Sequence, residues 1–130
     1  MIEAPEQLEP LLGLIPSQRD ELIVKYIIPQ LDEDHPPIAA SYAESVHDPN
    51  ARFQALSDVG VRWFENDPGA ALSWVGQLGS EADKSDAFHG IASLYQNSDL
   101  SAISDLMGQI PNARDREILA MEINRIATEK

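Results

Sequence analysis

The chain has 130 residues, with 22 acidic against 9 basic side chains, a formal net charge of −13 and no cysteine. Its 43% apolar content is that of a globular domain with a real core, and its length is that of one domain. The acidity disfavours nucleic acid and anionic membrane, which need clustered Lys and Arg, and suits basic peptides or proteins. Absent cysteine excludes disulfides, thiol catalysis and Cys-based metal sites. No run reaches the roughly 18 apolar residues of a membrane span. The N-terminal Met1-Ile2-Glu3-Ala4-Pro5-Glu6 has neither a basic n-region nor an apolar h-region. Nothing there directs export, so the cytoplasm is slightly favoured, and the periplasm stays open for a chain trimmed of a leader.

In chain order, prolines and turn residues divide the sequence into eight short helices. The first unit opens at Ala4-Pro5, and its first helix ends near Ile15. Pro10 should bend that helix or delay its start. Pro16-Ser17 makes a turn, and a second helix begins near Arg19. Pro29 lies late in this second helix and predicts a kink or an end after about Tyr26. The second unit opens at His35-Pro36 and its first helix ends near Val46. His47-Asp48-Pro49-Asn50 turns, and the next helix runs from about Arg52. The third unit opens at Asp67-Pro68, where Asp67 can cap and Pro68 fits the first turn. Its helix ends near Leu78, Gly79-Ser80 turns, and the next begins near Lys84. In the last unit Ser98-Asp99 takes the opening position, with Leu100 replacing the proline. Pro111-Asn112 then leads into a final helix from Arg114.

These units repeat. Glu33-Asp34-His35-Pro36-Pro37-Ile38-Ala39-Ala40-Ser41-Tyr42 aligns without a gap on Glu65-Asn66-Asp67-Pro68-Gly69-Ala70-Ala71-Leu72-Ser73-Trp74, 32 residues later. Ile15-Pro16-Ser17-Gln18-Arg19-Asp20 returns as Ile110-Pro111-Asn112-Ala113-Arg114-Asp115. A period of roughly 20–50 residues marks a stacked array, whose units bury their apolar faces only against neighbours. The units are 4–34, 35–66, 67–98 and 99–130, and together they account for one repeat domain spanning 1–130. In the second helix of each unit, Ile23/Ala55/Ala87, Val24/Leu56/Phe88, Ile27/Val59/Ile91 and Leu31/Trp63/Tyr95 form an apolar stripe. In the first helix, Ala39/Ala71/Ile103, Tyr42/Trp74/Leu106, Ala43/Val75/Met107 and Val46/Leu78/Ile110 do the same. Trp63, Trp74, Tyr42, Tyr95 and Phe88 are the expected aromatic core. Both tryptophans should bury most of their surface where the second and third units meet. Strict alternation is absent, so no strand is expected.

The segment Trp63-Phe64-Glu65-Asn66-Asp67-Pro68-Gly69-Ala70-Ala71-Leu72-Ser73-Trp74, closing at Leu78, resembles the W-x3-D-P-x-A-A-L-x-W-x3-L repeats of large, mostly uncharacterised bacterial proteins. More loosely it is similar to tetratricopeptide repeats. It departs from them in a period of 32 residues and in a proline that opens a helix instead of closing the unit. The likeness is sharp over 52–79 and degrades outward. It implies an all-α, right-handed α-solenoid of four stacked hairpins that presents surfaces to other proteins. The ligand-binding positions of tetratricopeptide repeats do not carry over.

No catalytic set stands out from the repeat, and no cofactor is called for. Two histidines sit in turns: His35 beside Glu33 and Asp34, and His47 beside Asp48. The turns lie at opposite ends of a helix of about ten residues, roughly 15 Å apart, so the two cannot share a metal. A metal or catalytic role for the His35 turn would need ligands from another unit or chain. The outward rows of the second helices are the better place for binding: Lys25/Ser57/His89, Tyr26/Asp58/Gly90, Pro29/Val61/Ser93 and Gln30/Arg62/Leu94. Tyr26, Asp58, Arg62, His89 and Leu94 are the candidate groove contacts. Residues 26–51 hold no Lys or Arg, and this edge should be the most negative. The expected function is a non-catalytic interaction or scaffolding module for a protein or peptide, basic in character. Self-association through the solenoid ends is its chief variant; the alternatives are a metal-dependent or enzymatic protein using the His35 turn and a structural segment of a larger protein.

Overall fold

The computed structural model describes residues 16–31 and 34–128. Every regular element among them is helical. Helix α1 covers 16–31 as Pro16–Leu22, a π turn Ile23–Ile27, and Ile28–Leu31. It is followed by α2 (Pro36–Glu44), α3 (Pro49–Asn66), α4 (Pro68–Gln77), α5 (Glu81–Ser93), α6 (Leu100–Gly108) and α7 (Ala113–Thr128). The helix expected over 5–15, with its Pro10 irregularity, lies outside the described residues.

Local chemistry sets the helix starts. The side chains of Asp48, Asp67, Ser80 and Asp99 accept the backbone N–H three residues on, at 2.9, 3.2, 3.1 and 2.9 Å. Asn112 does the same for Asp115 at 3.0 Å. Each bond satisfies one of the N–H groups that a helix leaves unpaired at its start. Helix α2 has no such bond, because His35 stands at the cap position, and its start relies on the following prolines. Because Asp48 and Ser80 cap, α3 and α5 begin about a turn earlier than Arg52 and Lys84 suggest.

Three helix ends fall near the expected residues. Val46, Leu78 and Ile110 fall just beyond α2, α4 and α6. Each donates its N–H to the carbonyl three residues back, at 3.3, 3.1 and 3.1 Å, and each side chain is buried. The last turn tightens so the chain can reverse while its apolar residue stays in the core. At Pro29 the helix neither stops nor shortens at Tyr26. It continues to Leu31 through the π turn, in which Ile28 N–H bonds Ile23 O. A widened turn is a familiar way to absorb the N–H and the space that a proline denies the ladder.

Helices α1, α3, α5 and α7 pack in sequence, each on the next of this set, and α2 and α4 lie against α3. Most of the predicted stripe is core: Ile23, Ile27, Ala55, Leu56, Val59, Ala87, Phe88 and Ile91 are buried, with Ala39, Ala43, Ala71 and Val75 from the shorter helices, whereas Val24, Ile103 and Met107 are only partly buried. The tightest crossing is α3 on α5. A Cβ added at Gly60 would stand 2.6 Å from Ala87 O, and one at Gly90 would press still closer on Ser57 O. Only glycine permits such reciprocal backbone approach. Of the expected aromatic core, Phe88 is fully buried, but Tyr42, Trp63, Trp74 and Tyr95 lie partly buried at its edge. Among them Trp74 donates its indole N–H to Glu44 Oε2 at 3.3 Å. Phe64, within the last turn of α3, is instead buried and meets Tyr95 edge-on at 6.1 Å.

Polar ties recur along the helix set. Arg52 grips Asp83 through two bonds of 2.8 and 2.6 Å, and Lys84 bonds Asp115 at 2.8 Å, each pair 31 residues apart. Arg52 also donates to Val46 O and Arg116 to Ile110 O, each reaching back six residues onto the end of the preceding helix. At α1, Arg19 bonds Ser45, and buried Asp20 accepts the N–H groups of His47 and Asp48.

Candidate functional site

The outer faces of α1, α3 and α5 form two shallow grooves. One of about 420 Å³ lies between α1 and α3, floored by Ile28 and Ala55 and walled by Asp58 and Arg62. The other, of about 350 Å³, lies between α3 and α5 and includes Val61 and His89. Gln54 and Asp58 of α3 line both, so the two grooves are adjacent. Arg62 bonds Asp58 at 3.2 Å, within one helical turn. Of the five candidate contacts, the grooves bring together Asp58, Arg62 and His89. Tyr26 and Leu94 are 57% and 42% exposed but line neither groove. Leu94 falls at the C-cap of α5, past the helical row that would have aimed it outward.

Two outward assignments are corrected. Gly90 is buried under α3, as its contact with Ser57 requires. His89 turns into the α5–α7 seam, where its Nδ1 lies 3.3 Å from Glu122 Oε1 and its ring packs on Phe53 at 4.9 Å. Glu122 is 1% exposed, accepts Ser85 Oγ–H at 2.7 Å and pairs with Arg125 at 3.1 Å. Its burial is balanced by three partners, as a buried carboxylate demands. The sequence reading missed Glu122. Carrying the Tyr26/Asp58/Gly90 row one period further reaches it, and the Ser57–Gly90 contact then recurs as His89–Glu122. Nearby, burial and the charges of Asp83 and Glu122 push the Asp86 carboxyl above its usual range, while the bond from Arg52 holds Asp83 below its own. In this cluster the Ser85 hydroxyl bonds the carboxylate, whereas an activated serine would sit against the imidazole. The geometry is that of a packed polar seam.

In the His35 turn, Asp34 and His35 are exposed, and Glu33 lies outside the described residues. His47 Nδ1 stands 3.7 Å from Asp20 at the other end of α2. Among the described residues no three His, Cys, Asp or Glu side chains converge as a metal-binding group. No described helix is long and apolar enough to cross a membrane. Trp63 and Trp74 stack across the α3–α4 junction with centroids 5.7 Å apart and planes 29° from parallel. No protein-family model, curated protein or solved structure matches the chain.

Proposed function

We propose that the chain is a short right-handed α-solenoid of four stacked hairpins and acts as a non-catalytic protein-interaction or scaffolding module. Two features support the repeat: Arg52–Asp83 and Lys84–Asp115 as equivalent ties, and Arg52 and Arg116 as equivalent caps. The observation that carries the interaction reading is the pair of adjacent grooves on α1, α3 and α5, which share Gln54 and Asp58 in their linings. An extended peptide laid along them would meet an apolar floor and an acid–base wall, the mixed chemistry by which concave repeat surfaces read protein segments.

The test compares the wild-type domain with a Gln54→Arg/Asp58→Arg variant whose circular dichroism and melting temperature are unchanged. Partners captured by the wild type and lost by the variant are expected. Capture of the same set by both would overturn the assignment of the groove.

A further inference from the structure

A different site lies at the junction of α2, α3 and α4, and it shares no lining residue with the grooves. The reversal at Asp67 places Trp63, late in α3, against Trp74 in α4. The two indoles, with Glu44 and Pro37 of α2 and Ser73 and Gln77 of α4, line a concavity of about 410 Å³. We propose that this concavity docks one arginine side chain presented by a partner protein.

Three observations define that occupant. First, the aromatic surface exceeds what packing needs. The same two rows carry Leu31 with Tyr42 at the preceding junction, and Tyr95 with Leu106 at the following one. Those leucines are buried to 2% and 1% exposure. Only this junction has two indoles, and both keep exposed surface. An indole face is the strongest side-chain partner for a cation, and a guanidinium stacks flat on it.

Second, a carboxylate is already aimed. Glu44 is exposed, and its Oε2 accepts the Trp74 indole N–H at 3.3 Å. That bond occupies one of about four acceptor positions on a carboxylate and leaves the rest for a forked donor. Third, the lining itself carries no Lys, Arg or His among the described residues. Arg52, whose charge reaches Glu44, is held by the Asp83 carboxylate and by the Glu44 and Val46 carbonyls. The stretch 26–51, which includes Glu44, has no lysine or arginine, and the chain carries −13 overall. The field therefore favours a cationic visitor.

The chain has 2 tryptophans, and both are in this site, so their indole N–H signals report on it alone. The experiment uses the intact chain, 15N-labelled at tryptophan, and the peptide acetyl-Gly-Ser-Arg-Ser-Gly-amide. The controls are the same peptide with citrulline, a neutral isostere, or with lysine. Saturable shifts of both indole signals are expected with the arginine peptide. Binding should weaken about fivefold or more with citrulline or in Glu44→Gln, in line with a modest cation–π and ion-pair contribution. The lysine peptide should fall between. Glu44→Gln should melt as the wild type does, since its side chain is exposed, and the Gln54→Arg/Asp58→Arg variant should bind normally. The proposal is overturned if millimolar arginine peptide leaves the indoles unmoved, if citrulline binds equally, or if Glu44→Gln changes nothing. Tighter binding of lysine than arginine would overturn the choice of occupant.

Discussion

Single atoms decide the α3–α5 crossing. Gly60 and Gly90 face backbone carbonyls across it, so a methyl at either must push the helices apart. Gly60→Ala or Gly90→Ala should cost about 1–3 kcal/mol in urea unfolding, the usual effect of overpacking a tight contact. Helical propensity alone would predict a gain from replacing glycine with alanine, so the sign of the change is the informative result. Glu122 is the other sensitive residue. Glu122→Ala would leave Ser85, His89 and Arg125 without their shared acceptor and should cost about 3 kcal/mol. Glu122→Gln keeps a carbonyl acceptor and should cost less. Acid behaviour follows from two neighbours. Asp83 has a lowered folded pKa because Arg52 bonds it, so its stabilisation is present above the unfolded carboxylate pKa and is lost as pH falls through the folded value. Asp86 has a raised folded pKa through burial and adjacent charge, so the folded state resists its ionisation and stability falls as pH rises through that range. Asp86→Asn should therefore raise the urea midpoint at neutral pH, and Asp83→Asn should lower it there and flatten the acid loss. Midpoints measured between about pH 3 and 8 span both carboxylate ranges.

At the scale of helices and turns, the legible parts were those whose cause is local. Asp67-Pro68 and Ser98-Asp99 state their own capping chemistry, and the apolar rows state which face is buried. Alanine at Asp67 or Asp99 should cost about 1 kcal/mol by loss of the cap, read as a lower melting temperature. What escaped depends on neighbours. Nothing near Pro29 announces that a π turn will carry the helix past it. Nothing near Glu122 announces burial, because its partners Ser85 and His89 belong to α5. His89 was read as outward because its row in earlier units holds Lys25 and Ser57, both polar and small or flexible enough to reach water. Full burial of Trp63 and Trp74 would make truncation of either cost about 3–5 kcal/mol. Since both are only partly buried, the cost of Trp74→Ala should lie toward about 3 kcal/mol. Their fluorescence should be only partly protected from a soluble quencher. Three of the five groove candidates fell together because helical rows place them, whereas Tyr26 and Leu94 were lost to the α1 geometry and the end of α5.

Across the whole molecule, the proposed repeat is what would join fold to proposed function. The polar tie occurs at Arg52–Asp83 and again at Lys84–Asp115, the arginine cap at Arg52 and Arg116, and the grooves lie on the outer faces of α1, α3 and α5. On the proposed function, excess acid would favour basic segments, and binding should weaken as salt rises. In such an array stability resides in contacts between neighbouring units, so whole units are separable and part-units are not. The direct measurement is thermal melting by circular dichroism of two truncated chains, one ending at Ser98, on the period boundary, and one ending at Lys84, within a unit. The account predicts that the chain ending at Ser98 keeps helix in proportion to its length and melts cooperatively, at a lower temperature than the full chain. The chain ending at Lys84 should lose most of its structure. If both truncations unfold alike, the molecule is a single interdependent bundle and the stacked-repeat account is wrong.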